Sequence, residues 1–91
     1  MSEPLRGTAE IRNAKGLHAR AAAKFCKTCE RFDAEVLVAR NGTEVCGTSI
    51  MGLMMLAAGT GTTIEITASG PEAAGALEAV MKLVADKFDE E

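Results

Sequence analysis

The sequence predicts an α+β fold: two layers of order β-α-β-β-α-β-α, with a four-stranded, mainly antiparallel sheet and three helices on one of its faces. Three observations carry this expectation. Four segments, near residues 6–12, 34–39, 43–47 and 62–69, alternate at the two-residue period of a half-buried strand. Three others place apolar side chains three and four residues apart, as one-sided helices do. An Asn41-Gly42 pair between two of the strand segments marks a tight hairpin, because both residues tolerate positive φ. Elements that are apolar on one side bury those sides together, which gives helices on one sheet face and leaves the other face wet.

The elements follow in order. Residues 6–12 put Gly7, Ala9 and Ile11 on one side and Thr8 and Glu10 on the other. Asn13-Ala14-Lys15-Gly16-Leu17-His18 then turns the chain, Gly16 supplying backbone freedom, and an alanine-rich helix begins near His18 and runs to about Arg31. Its Ala22, Phe25, Cys26 and Cys29 share the core-facing side. After the hairpin, Ser49 to Leu56 forms a helix of about two turns, stopped by Gly59 and Gly61. The last strand turns Ile64, Ile66 and Ala68 to the core. The final helix opens with Pro71 at its first position and carries the stripe Ala73, Leu77, Val80, Met81, Val84 and Phe88.

Ninety-one residues with 47% hydrophobic content suffice for one domain, residues 1–91, without disulfide or metal staples. Three Phe with no Trp or Tyr, and a net charge of −3, argue against nucleic acid as a partner. The opening Met1 to Arg6 lacks the pattern of an export signal and no apolar run has membrane-spanning length, so a cytoplasmic, soluble protein is expected. Cys26, Cys29 and Cys46 are then read as reduced thiols.

His18 is the chain's one histidine, and it stands at a helix entrance. There the unpaired N–H groups of the first turn, among them those of Ala19 and Arg20, favour an anion such as a phosphoryl group. The same field favours the unprotonated ring, whose nitrogen lone pair can attack phosphorus. Arg20 is a cation where the helix dipole disfavours one, a local misfit that an anion shared with His18 would resolve.

Two motifs raise this reading above that of an incidental surface histidine. Gly16-Leu17-His18-Ala19-Arg20, followed by Ala22 and Phe25, and Ser49-Ile50-Met51-Gly52-Leu53-Met54 with the Gly59-Thr60-Gly61 turn resemble the HPr family of histidine phosphocarriers of the bacterial phosphotransferase system. The resemblance spans nearly the whole chain. It implies that the two layers form an open-faced β-sandwich, and it implies phosphorylation of His18 on Nδ1 by phosphorylated enzyme I, onward transfer to an enzyme IIA component, and Arg20 as the phosphate-stabilising arginine. With a nucleophile and a charge-stabilising arginine but no evident nucleotide pocket or second substrate site, the chain reads as a carrier rather than a free-standing enzyme, with no cofactor expected. The family usually has proline after the arginine; Ala21 stands there in this chain and leaves the rigidity of the helix start open.

Ser49 reads structurally as a helix N-cap. The resemblance adds regulatory phosphorylation there by an HPr kinase/phosphorylase, and a phosphate at a helix N-terminus is electrostatically tolerable. With Leu53 and Leu56 assigned to the core, Ile50, Met51, Met54 and Met55 are left partly exposed as a partner-binding patch. Cys26 and Cys29 lie mid-helix, where neither a reactive thiol nor a zinc site is expected. The rivals to a carrier are a regulatory binding module controlled through Ser49, as in a nitrogen-type phosphotransfer branch, and a Cys26/Cys29 thiol protein. Nothing in the sequence demands more than a monomer.

Overall fold

The computed structural model describes residues 3–90. Met1 and Ser2, which head the stretch read for an export signal, and Glu91, the last residue of the expected domain, lie outside the described residues. The elements are β1 (Leu5–Glu10), α1 (Ala19–Glu30), β2 (Glu35–Arg40), β3 (Thr43–Cys46), α2 (Ile50–Met55), β4 (Thr63–Ser69) and α3 (Ala73–Ala85). One sheet of order β1-β4-β2-β3 forms with every neighbouring pair antiparallel, so the predicted architecture is the one observed.

Register explains why the alternation was readable. Ala9 stands opposite Ile64, Gly7 and Val38 both flank Ile66, and Val36 stands opposite Ala68. Their apolar side chains therefore point to the same face, and Ala9, Val36, Val38, Ile64, Ile66 and Ala68 are all buried. Helices α1, α2 and α3 close that face with Ala22, Phe25, Leu53, Ala76, Val80 and Val84. The hairpin turn takes positive φ at Asn41 (52°) and Gly42 (82°), as its sequence predicts.

Two expectations at the C-terminal end need correction. The last helix begins at Ala73, with Glu72 at its N-cap position, so Pro71 precedes the helix rather than opening it. Glu72 is engaged elsewhere, since its Oε1 accepts from the Asp33 N–H (2.6 Å) and its own N–H donates to the Asp33 carbonyl (3.0 Å). The helix also stops at Ala85, so Phe88 is not on its stripe. Phe88 reaches the core through a single left-handed turn in which Lys87, Phe88 and Asp89 have φ of 59°, 55° and 62°. Non-glycine residues resist that conformation, and burial of a whole phenyl ring offsets part of the cost. The Lys24 ammonium fastens the turn to α1 by donating to the Phe88 carbonyl (2.7 Å).

No helix among the described residues is long and apolar enough to cross a membrane.

Candidate functional site

The β1–α1 loop is held from below by the loop that follows α2. Leu17 N–H donates to the Ala58 carbonyl (2.9 Å), and the Thr60 hydroxyl donates to the carbonyls of Asn13 (2.5 Å) and Ala14 (3.0 Å). Gly16 makes this approach possible. Its φ is 68°, and a Cβ there would sit 2.6 Å from the Ala58 oxygen and 2.8 Å from the Gly59 Cα, closer than any side chain allows. Leu17 is buried beyond it, which leaves His18 fixed at the lip of α1.

His18 is the N-cap of α1, with extended backbone (φ −79°, ψ −179°). Its Nδ1 accepts the Arg20 N–H at 3.3 Å, and its carbonyl accepts the Ala22 N–H at 2.8 Å. A ring nitrogen that accepts carries no proton, so this pairing assigns the hydrogen of the neutral ring to Nε2. Nε2 meets the Glu90 carboxylate, 2.5 Å from Oε2. The Nδ1 lone pair thus points at the helix end, and a bond of 3.3 Å engages it only weakly. The helix has no acidic residue in its first turn. Arg20 is exposed and has no ion-pair partner among the described residues, so its guanidinium can turn toward an anion at the helix end.

Two contributors to this arrangement were not visible in the sequence. Asn13 is fully buried, and its Nδ2 donates to the Gly16 carbonyl (2.7 Å) and to Glu90 Oε1 (3.0 Å). Glu90 lies 72 residues from His18 along the chain, and no spacing rule connects the two. The hydrogen bonds from His18 and Asn13 hold the Glu90 carboxyl below its ordinary pKa.

Ser49 is the N-cap of α2, as its position predicts, and its Oγ accepts the Gly52 N–H at 3.0 Å. Helices α1 and α2 pack side by side. Leu53 and Leu56 are buried, whereas Ile50 and Met54 are 39% and 44% exposed and Met51 and Met55 are both 75% exposed. The division of this helix into a core side and an apolar outer side is therefore as expected.

The cysteines stand apart from both caps. Cys26 and Cys29 are buried and Cys46 is exposed. Burial, with the Glu30 carboxylate next, raises the Cys26 thiol above its ordinary pKa; burial and then Cys26 push Cys29 up to about 12. Thiols held protonated in this way make poor nucleophiles. A hollow on the sheet side, lined by Arg40, Asn41, Glu44 and Glu65, includes neither His18 nor Ser49.

The family model for the HPr component phosphorylation site of the phosphotransferase system matches residues 5–86. Phosphocarrier protein HPr of Neisseria meningitidis serogroup A is 48% identical over 86 residues, covering 94% of this chain and 97% of its own. Phosphocarrier protein NPr of Escherichia coli K12 is 44% identical over 85 residues, covering 92% and 94%. In three dimensions, the crystal structure of an HPr from Thermoanaerobacter tengcongensis superposes with a TM-score of 0.91 at 37% identity, covering 96% of this chain and 98% of that one. A relative of this similarity over almost the full length of both chains, joined to a matching fold, settles the question of kinship: the chain belongs to the HPr family of phosphotransferase-system phosphocarriers.

Proposed function

We propose that this chain takes a phosphoryl group onto His18 Nδ1 from phosphorylated enzyme I and passes it to an enzyme IIA-type acceptor, with residues 1–91 acting as one cytoplasmic, monomeric carrier domain. The observation that carries this reading is the N-cap geometry, in which Nδ1 accepts from the Arg20 N–H of the α1 N-terminus while Nε2 meets the Glu90 carboxylate. In transfer, the Nδ1 lone pair forms the N–P bond as the bond between phosphorus and the donor's leaving atom breaks. The electron pair of the broken bond stays with the donor, and the proton stays on Nε2. Backbone N–H groups of Ala19 and Arg20 take the equatorial oxygens, and the Arg20 guanidinium spreads the remaining charge.

The outer side of α2 is the surface on which enzyme I and the acceptors dock, with Met51 and Met55 as adaptable contacts. Ser49 lies at the edge of that surface. Phosphorylation there by an HPr kinase/phosphorylase would add up to two negative charges beside the patch and weaken docking without unfolding α2. Likeness to NPr as well as HPr supports a second setting for the same chemistry, a nitrogen-type branch in which the carrier's output is regulatory.

Incubation with phosphoenolpyruvate and enzyme I, followed by mass spectrometry, tests the proposal. An acid-labile phosphoryl adduct is expected on wild type and not on His18→Ala. A wild-type protein that takes up no phosphoryl group overturns it. In the same assay Ser49→Asp should accept phosphate more slowly than wild type; equal rates remove the regulatory part of the proposal.

A further inference from the structure

We propose that Glu90 is a positioning residue for phosphoryl transfer, its side-chain carboxylate holding the His18 ring by the Nε2–H so that Nδ1 stays aimed at the α1 N-terminus. The inference rests on His18 as the phosphoryl acceptor and adds a residue to that site.

The carboxylate is itself fixed on both oxygens. Oε1 accepts from Asn13 Nδ2 at 3.0 Å, and Oε2 faces His18 Nε2 at 2.5 Å. Asn13 in turn is buried and bonded to the Gly16 carbonyl at 2.7 Å, within the loop that delivers His18. The ring is thus held from its own loop on one side and from the far end of the chain on the other. Both partners are well shielded, with 25% of the His18 side chain and 19% of the Glu90 side chain exposed, which strengthens a charge-assisted hydrogen bond relative to one in water. Glu90 reaches this place because of the left-handed turn at Lys87–Asp89, anchored by buried Phe88 and by Lys24 on α1. Three consecutive non-glycine residues in that conformation are a local misfit, and its visible product is the placement of this carboxylate.

The chemistry follows from where charge develops. When Nδ1 bonds to phosphorus, the ring acquires positive charge while keeping its Nε2 proton. A carboxylate already seated on that proton stabilises the charged ring and needs no reorganisation during transfer. It lies on the ring nitrogen opposite the incoming phosphoryl group, so it does not occupy that group's place. A carboxylate seated on a histidine N–H orients the ring and supports the charged form in the same way wherever the partner nitrogen is the reactive one.

The test compares wild type with Glu90→Gln and Glu90→Ala in two measurements. Without any phosphoryl donor, proton NMR of wild type should show a His18 Nε2–H resonance protected from solvent exchange and shifted far downfield. That resonance should be lost in Glu90→Ala. With phosphorylated enzyme I, the maximal rate of uptake should fall about tenfold in Glu90→Ala with little change in KM, because the α2 docking patch is untouched, and Glu90→Gln should lie between the two. Uptake by Glu90→Ala at the wild-type rate overturns the inference, as does an unchanged Nε2–H resonance. If wild type itself takes up no phosphoryl group, the carrier reading fails, and the NMR comparison still decides whether Glu90 holds the ring.

Discussion

The N-termini of α1 and α2 are built on the same plan with different atoms, and the difference separates the proposed acceptor from a structural cap. Each helix begins after an extended residue whose side chain accepts a backbone N–H of the first turn: His18 Nδ1 from Arg20 at 3.3 Å, Ser49 Oγ from Gly52 at 3.0 Å. The Ser49 hydroxyl donates to no acceptor among the described residues, and a serine hydroxyl is a weak nucleophile near neutral pH. An imidazole offers a lone pair without activation, provided its proton is parked on the other nitrogen, and the Glu90 carboxylate lies where it would accept a hydrogen bond from that nitrogen. The surroundings diverge as well. The α1 cap has an arginine free to meet an anion, whereas the α2 cap is bordered by exposed Ile50, Met51, Met54 and Met55.

Exchanging each cap for alanine gives the largest contrast. His18→Ala should abolish phosphoryl uptake from enzyme I, whereas Ser49→Ala should leave uptake near wild type. Ser49→Ala should lower stability by the value of a cap, about 1 kcal/mol, and His18→Ala by more, because it also removes the partner of Glu90; both are read as shifts in the urea midpoint. Loss of uptake in both variants would break the distinction between the caps.

A second prediction concerns the platform beneath His18. Gly16→Ala forces a Cβ toward the Ala58 oxygen and Gly59 Cα at a positive φ, so the loop must move. Stability should fall by ~1–3 kcal/mol. Uptake should fall roughly 100-fold, because an ångström of misplacement at the nucleophile is costly. Normal uptake kinetics in a destabilised Gly16→Ala protein would show that the loop does not need this geometry.

Arg20→Ala is expected to have a smaller effect, about tenfold on the maximal rate, because the exposed side chain shares the anion with fixed backbone donors. Arg20→Lys should recover part of it, and stability should not fall, since a cation leaves the first turn of a helix.

The smallest expected effect is on the pH dependence of stability. His18 first, then Asn13, holds the Glu90 carboxyl below its ordinary value of 4.5, with Lys24 adding attraction. An acid with a lowered folded pKa contributes stability that is present above its unfolded value and is lost as pH falls through the folded value. The difference in urea midpoint between wild type and Glu90→Gln should therefore shrink as the pH drops below 4.5. A difference that stays constant through that range would place the origin of the effect elsewhere.

The architecture was legible because its signals are local. The strand alternation around Ile64, Ile66 and Ala68, the Asn41-Gly42 turn and the Ser49 cap each need only a few neighbouring residues to be recognised. The same holds for His18 at a helix entrance, where Gly16 and Arg20 supply the context. Local signals mislead where a distant partner decides the outcome. Pro71 looked like a first helical residue, but Glu72 is drawn into hydrogen bonds with Asp33, and the helix starts later. Phe88 kept its place in the core but lost its helix, because the buried ring and Lys24 stabilise a turn that local propensity opposes. Glu90 and Asn13 were invisible for the same reason, since their meeting with His18 is a product of the folded chain.

In the proposed transfer the α1 cap becomes the phosphoryl acceptor through its capping atom. This is tested most directly by NMR of the phosphorylated protein with its imidazole nitrogens and backbone amides labelled. Phosphorus should couple to His18 Nδ1, the Arg20 amide should shift as its hydrogen bond passes from the ring to a phosphoryl oxygen, and Nε2 should keep its proton. Phosphorus coupled to Nε2, or found on Ser49 with the His18 ring unchanged, would show that the capping nitrogen is not the acceptor.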